Sequence, residues 1–296
     1  MLGTHISILV NRLPIMSERL TEIPIAEAEK DEELKRLQQK VKTYEALMGK
    51  IVANPSGKEH DHQEFFRGRD IIFGFVTDTH LCSTHERLAD LDTTYKIFQK
   101  EGITKVYHAG DVVAGVNVYK GQNNELKVWG MDNQAEYVRK QYPKVDGMTT
   151  YFITGNHDNS FLNDAGADIG LLIESKRGDM VYLDQIEADV KLAQNVKMRL
   201  WHGGGGSAYA LSYKGQRLVA SLEGGNKPNI ILAGHYHQPF YMDYRNVHYL
   251  QGGAYERQSI WLKRIGIQPA CTAWIVECHV NNGSVNRFKP ELLKFF

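Results

Sequence analysis

The chain has 296 residues, of which 42% are hydrophobic and 24% charged, which excludes a disordered chain and predicts a globular protein with a sizeable core. Lys plus Arg equals Asp plus Glu at 35 each, so no global charge points to nucleic acid or to acidic partners, and any basic patch must be local. Cys82, Cys271 and Cys278 form neither a paired framework nor a zinc spacing, and no apolar run approaches the ~20 residues of a membrane span.

In chain order, Ile6 to Val10 is apolar but has no basic start and no cleavage site after it, so no signal peptide is expected and the protein is read as cytoplasmic. Pro14 and Pro24 limit regular structure in residues 1–24. From Ile25 to Met48 the chain is charged and helix-prone, with Leu34, Leu37, Val41, Tyr44 and Met48 at alternating steps of three and four. That narrow stripe fits a helix packed on the main domain, or a short coiled coil to a partner protein or to a second copy in a homo-oligomer. Asn54-Pro55-Ser56-Gly57 reads as a linker. His60 and His62 follow in a polar segment and are expected to be solvated rather than to bind metal. Residues 1–67 are therefore read as an N-terminal extension and residues 68–296 as the main domain.

Ile71 to Val76 reads as a buried strand, running into Asp78-x-His80. Period two along an extended chain would place those two side chains on one side. A helix is expected over 84–100 and a strand over Lys105–Ala109, a β-α-β unit with a right-handed crossover. A long loop spans Val112–Gly130, a helix runs from about Asn133 to Tyr142, and Thr150–Thr154 is the next strand. Residues 159–180 read as a loop and a helix. Met198–Trp201 is a strand ending at His202, Leu218–Ala220 lies in a helix, and Asn229–Ala233 is a strand ending in Gly234-His235-Tyr236-His237. Asn282-Gly283 signals a hairpin between Val276–Val280 and Ser284–Phe288.

One event recurs along this order: an apolar strand ends, and Asp, Asn or His follows within a few residues. The endings are Asp78-x-His80, Gly110-Asp111, Gly155-Asn156-His157-Asp158, His202 and Gly234-His235-x-His237. Imidazole, carboxylate and amide oxygen suit Mn, Fe or Zn rather than Ca. These ligands are too many for one ion, and two divalent ions about 3.5–4 Å apart would use them, activating a water for phosphoryl displacement. His85, His108, His248 and His279 fall outside the set and read as structural or surface residues.

The ordered set D-x-H, G-D, G-N-H-D, H and G-H-x-H, over roughly Gly68 to Cys278, resembles the calcineurin-like metallophosphoesterases. The resemblance implies an α/β fold, a four-layer α/β/β/α sandwich, here with an N-terminal helical extension. It implies that Asp78, His80 and His237 hold one metal, that Asn156, His202 and His235 hold a second, and that Asp111 bridges them. The metals implied are Mn, with Fe, Zn or Ni as alternatives. The catalytic residues implied are Asp111, His157, which stabilises or protonates the leaving oxygen, and Asp158, which orients its loop.

A longer run, Ala109-Gly110-Asp111-Val112-Val113, Gly115, Val118-Tyr119-x-Gly121-Gln122 and Glu125-Leu126, is similar to the exonuclease small subunit of archaeal family D DNA polymerases, with Ala114 where that family carries an acidic residue. No OB-like domain is read in residues 1–67, so a freestanding nuclease of the repair or recombination type is expected. The function implied is a Mn-dependent 3′-to-5′ DNA exonuclease. The alternatives are a phosphoesterase for a nucleotide or other small molecule, and a non-catalytic assembly subunit. Gly203–Gly206 reads as backbone passing close to the metals or as a phosphate cradle. Tyr209, Tyr213, Lys214 and Arg217 read as a strand-binding surface or as a packed helix face.

Overall fold

Short apolar runs build two six-stranded sheets. In the first, the order is β12 (Ser284–Phe295), β11 (Cys271–Asn281), β2 (Asp70–Val76), β3 (Lys105–Ala109), β4 (Thr149–Thr154) and β5 (Met180–Gln185). In the second it is β1 (His60–Asp61), β6 (Glu187–Ala193), β7 (Val196–His202), β8 (Ile230–Gly234), β10 (Val247–Gln251) and β9 (Phe240–Tyr244). The computed structural model describes residues 30–43 and 59–296, apart from 67, 69, 207 and the side chain at 226. Strands β2 to β5 run parallel, as do β7, β8 and β10. The carboxyl ends of β2, β3, β4, β7 and β8 converge, and every sequence-predicted site residue lies there.

The sheets face each other across one core. Phe73, Tyr107 and Ile153 of the first sheet meet Met198, Leu200 and Leu232 of the second. β7 shows how the pattern aims a functional residue: Val196, Met198, Leu200 and His202 are buried, while the residues between them are only partly covered. His202 is thus the last inward position of a core strand. Helices cover the outer faces. α2 (Leu88–Lys100) lies so close to β2 that a Cβ at Gly74 would meet the Phe98 ring at 2.5 Å. α3 (Met131–Gln141) packs on α5 (Ile169–Lys176), which packs on β5. On the other side α6 (Ser212–Ser221) presents Val219 to Ile231 and Tyr249 of the second sheet. The result is the expected α/β/β/α sandwich. Two short helices, α4 (Ser160–Ala165) and α7 (Ile260–Arg264), complete it.

Three sequence expectations need revision. β1 adds to the second sheet through β6, with His60 opposite Val190, so the segment around His60 and His62 is an edge strand and not a solvated linker. His62 is 5% exposed, with Nδ1 2.9 Å from the Tyr107 hydroxyl. Strands β5 and β6, in a stretch that carries no strong turn punctuation, were not foreseen. Asp78 and His80 do not lie on an extended strand, because β2 stops at Val76 and their φ angles are 51° and 43°.

Packing divides the chain into two units, Met1–Lys50 and Ile51–Phe296. The first contains helix α1 (residues 30–43), on which Leu34, Leu37 and Val41 are all more than half exposed. Tyr44 and Met48, the rest of the heptad stripe, lie outside the described residues. Among the described residues no helix is long and apolar enough to cross a membrane. The Asn282-Gly283 hairpin joins β11 and β12, with Asn282 and Gly283 at φ 50° and 75°.

Candidate metal centre

Five of the seven donors leave their strands through left-handed turns, whereas His202 is the last residue of β7 and Asn156 has an ordinary backbone. Asp78, His80, Asp111, His235 and His237 all have φ between 43° and 84°. Such angles cost non-glycine residues of the order of 1–3 kcal/mol each, and they persist where surrounding bonds over-determine them. Those bonds are present. Asp78 N–H donates to Gly110 O and His80 N–H to Asp111 O, each at 3.0 Å, while Asp78 carboxylate oxygens accept from His235 N–H and from Thr77 Oγ1. Glycines supply the close approaches. A Cβ at Gly110 would lie 2.5 Å from His202 Nδ1, one at Gly155 would lie 2.2 Å from Asp111 Oδ1, and one at Gly234 would lie 2.4 Å from Ala109 O.

The side chains form two donor groups around Asp111. In one, His237 Nε2 is 3.2 Å from Asp78 Oδ1 and 3.1 Å from His80 Nε2, and His80 Nε2 is 3.8 Å from Asp111 Oδ2. In the other, His202 Nε2 is 3.2 Å from the same Asp111 Oδ2, and Asn156 Oδ1 is 3.0 Å from His202 Nε2 and 2.8 Å from His235 Nδ1. Asp111 Oδ1 is held separately by the His157 N–H at 2.8 Å. Thus one carboxylate oxygen lies between the two groups.

These residues fit a pair of divalent cations. The donor atoms of Asp78, His80 and His237 lie within 4.8 Å of one another, as do those of Asp111, His202 and His235. His202 Nδ1 sits 2.8 Å from Ala109 O, and His235 Nε2 sits 3.0 Å from Gly205 O. Donation to those carbonyls protonates the outward nitrogens and turns the lone pairs of His202 Nε2 and His235 Nδ1 inward. Buried Nδ1 atoms of His80 and His237 have no hydrogen-bond partner within the protein, so those rings are oriented by the groups around Nε2 and, for His80, by packing on the His157 ring. All donors are nitrogen or oxygen, which matches Mn, Fe or Zn.

The electrostatics agree. Burial opposes protonation of His80, yet the carboxylates of Glu256, Asp78 and Asp111 outweigh it and hold its imidazole up at about 10. Burial likewise opposes protonation of His202, but Asp111 holds it at about 9. For Asp78, burial raises the carboxyl, but the imidazoles of His237, His80 and His202 win and keep it well below the usual range. The pocket attracts positive charge.

His157 and Asp158 behave differently. His157 Nδ1 lies 2.7 Å from Ala114 O, so Nε2 is the free nitrogen, and burial pulls the ring down to about 4, keeping it neutral. Its ring is 4.4 Å from that of His80. Asp158 touches backbone only, accepting from Val112, Val113 and Gly155 N–H at 2.9–3.1 Å. Burial and the Asp111 charge push its carboxyl up to about 7 against those three bonds. It fastens the loop after β4 to the loop after β3, and is a positioning residue.

Other groups carry no motif that would announce them. Glu256, buried, bonds to Ser83 Oγ and lends its charge to His80. Gln122 bonds Ala114 O and Val118 N, holding the loop on which His157 rests, and only its place in the Tyr119-x-Gly121-Gln122 run hints at this. His108 is structural as expected, buried against Thr79 Oγ1 and Gly110 N. Asp111, Asn156, His235 and His237 line an open cleft of about 590 Å³, with Gly203–Gly206 on one wall and Tyr119, Lys120 and Trp261 also lining it. Among the later residues Tyr209 is fully exposed and Tyr213 partly so, so they are not packed core, and Lys214 Nζ reaches Gly204 O at 3.4 Å.

A two-sheet sandwich carrying such donors at converging strand ends is the architecture of a metal-dependent hydrolase. Residues 71–264 match the model of the calcineurin-like phosphoesterase superfamily domain, and the chain belongs to that superfamily, whose members act on phosphoester bonds. It is 23% identical over 198 residues to the DNA polymerase II small subunit of Methanothermobacter thermautotrophicus strain Delta H, a match covering 55% of this chain and 40% of that relative. The chain thus corresponds to less than half of that protein. Among solved structures it is similar to one described as a novel archaeal phosphodiesterase, at 14% identity and TM-score 0.42, over 75% of this chain and 100% of the other. Another is a putative 5′-nucleotidase from Staphylococcus aureus, at 10% identity and TM-score 0.45, over 76% and 54%.

Proposed function

We propose that this protein is a two-metal phosphodiesterase acting on DNA, a manganese-dependent nuclease of the 3′-to-5′ exonuclease type. The observation that carries the hydrolytic reading is the single oxygen, Asp111 Oδ2, set 3.2 Å from His202 Nε2 and 3.8 Å from His80 Nε2 between two donor groups. The DNA reading is supported by the local run from Ala109 to Leu126 and by the distant polymerase-subunit relative.

In this reading Asp78, His80 and His237 would hold one cation, Asn156, His202 and His235 would hold the other, and Asp111 would be shared between them. When bound, the cations supply an activated water and neutralise charge that develops on the phosphoryl oxygens. The chain's own residues do the rest. Asp158 and Gln122 fix the loops that aim His157. His157 lines the cleft with Nδ1 tied to Ala114 O, which leaves Nε2 as its free nitrogen; there the neutral ring would take the proton given up by the attacking water and deliver it to the departing oxygen. Gly203–Gly206 keep side chains out of the path of the substrate backbone.

The test is to give full-length protein with Mn a labelled single-stranded oligodeoxynucleotide, an aryl phosphodiester and an aryl monoester. Shortening of the strand from its 3′ end is the expected result. Turnover of the aryl esters without strand cleavage would instead establish a small-molecule phosphoesterase. Loss of activity in Asp111→Asn and His157→Ala excludes a contaminant as its source.

A further inference from the structure

Glu125 joins the loop over 118–126 to helix α7 beside the metal centre. Glu125, 4% exposed, accepts from the Ile260 N–H at 2.9 Å through Oε1 and from the Tyr119 hydroxyl at 2.8 Å through Oε2. His85 Nε2 also lies 2.8 Å from Oε1. Ser259 caps α7 by accepting from Leu262 N–H. This anchoring sets the Tyr119 and Trp261 rings in parallel, 6.0 Å between centroids and 22° between planes. The same Tyr119 ring is 6.3 Å from that of His157, so the pair adjoins the reacting centre.

Trp261 is nevertheless 43% exposed, although a large aromatic ring with a buried, hydrogen-bonded support has every means to be covered. Lys120, exposed, lines the cleft next to Tyr119. A flat aromatic face and a cation on one wall of a cleft with a phosphoester centre on its floor match one nucleotide unit, a base and its phosphate. Catalysis at phosphorus requires neither group.

We propose that the Tyr119–Trp261 pair is a stacking platform for a base of single-stranded DNA, set so that a phosphate of the strand lies over the metal centre, with Glu125 as its positioning residue. This rests on the nuclease reading above. The platform makes the enzyme select strands by their bases in general, without reading sequence, because every base offers a face to stack.

The test compares two labelled strands of equal length and charge, oligothymidylate and an all-tetrahydrofuran strand that lacks bases, with full-length protein and Mn. Wild type is expected to show a kcat/KM about tenfold higher on oligothymidylate, the size of one stacking contact. Trp261→Ala is expected to lose about tenfold more on oligothymidylate than on the baseless strand, and Trp261→Phe to restore most of the difference. As a readout independent of turnover, fluorescence anisotropy with cleavage-deficient Asp111→Asn is expected to show about tenfold weaker oligothymidylate binding when Trp261→Ala is added. Equal wild-type rates on the two strands, or equal losses on both in Trp261→Ala, would overturn the platform and leave the nuclease reading standing. Failure of wild type to cleave either strand, while it hydrolyses an aryl diester, would overturn both.

Discussion

A methyl group at Gly155 would sit 2.2 Å from Asp111 Oδ1 and 2.6 Å from His202 Cε1, so this glycine makes room for the residue shared by both donor groups. Gly155→Ala should therefore displace Asp111 while leaving the sheets intact. The expected result is a loss of manganese affinity of about 10–100-fold by calorimetry, with near-wild-type circular dichroism. His62 gives a second prediction at this scale. Burial first, and then the charges of His60 and Lys105, pull its pKa down to about 4 from an ordinary 6.5. The folded state thus holds His62 neutral where the unfolded chain would protonate it. Its share of stability is complete above pH 6.5 and is lost as pH falls toward 4, by roughly 3 kcal/mol in all. His62→Phe removes that loss but strands the Tyr107 hydroxyl, at a cost of about 1–3 kcal/mol at pH 7.5. Urea unfolding of both proteins from pH 7.5 to 4.5 should show the gap between them narrowing with acid. The residues of the site were legible because each follows an apolar run. For Asp78 and His80, however, left-handed backbone rather than strand alternation brings the side chains together. Glu256 could not be read at all, because a carboxylate outside a motif looks the same in sequence whether it is buried or solvated, and Glu125 stood out only by its place in the run that ends at Leu126.

At the scale of elements, strands bounded by glycine or by a change to polar residues were legible, and β3 matches its sequence reading residue for residue. β5 and β6 were not, because only Ile186, in a left-handed conformation, separates them. A one-residue turn made by a β-branched side chain carries no sequence punctuation. The joint between α3 and α5 was also invisible. It is made by Arg177, 4% exposed, which donates to the carbonyls of Val138, Tyr142 and Pro143 and forms an ion pair with Asp179. Val138 O already accepts from the Tyr142 N–H, but the Tyr142 and Pro143 carbonyls lie past the last helical bond, and the buried guanidinium satisfies them. Arg177→Met keeps the bulk and removes every donor. It should destabilise the protein by about 2–4 kcal/mol in urea unfolding, a size set by the buried carbonyls and the Asp179 carboxylate left without their cation.

At the scale of the whole molecule, every donor belongs to the unit Ile51–Phe296, and the donors are divided between its two sheets. Asp78, His80, Asp111 and Asn156 follow β2, β3 and β4, while His202, His235 and His237 close β7 and β8. Each donor group mixes the two: His237 stands with Asp78 and His80, and His202 and His235 with Asp111. Away from this edge the sheets are joined by side-chain packing in the core and by hydrogen bonds such as that from Trp274 Nε1 to Gln251 O. Cations bound here would therefore tie one sheet to the other, and they would bind the folded state alone, because the unfolded chain scatters the donors. Manganese should raise the unfolding free energy by about 2.7 kcal/mol per site at a free concentration one hundred times the dissociation constant. Chelation should reverse the whole gain. His237→Ala, which leaves the first group without its donor from the second sheet, should abolish part of the manganese-induced shift in Tm and keep the rest. A Tm that manganese leaves unmoved in wild type, under conditions where bound metal is detected by elemental analysis, would show that the ions do not join the sheets.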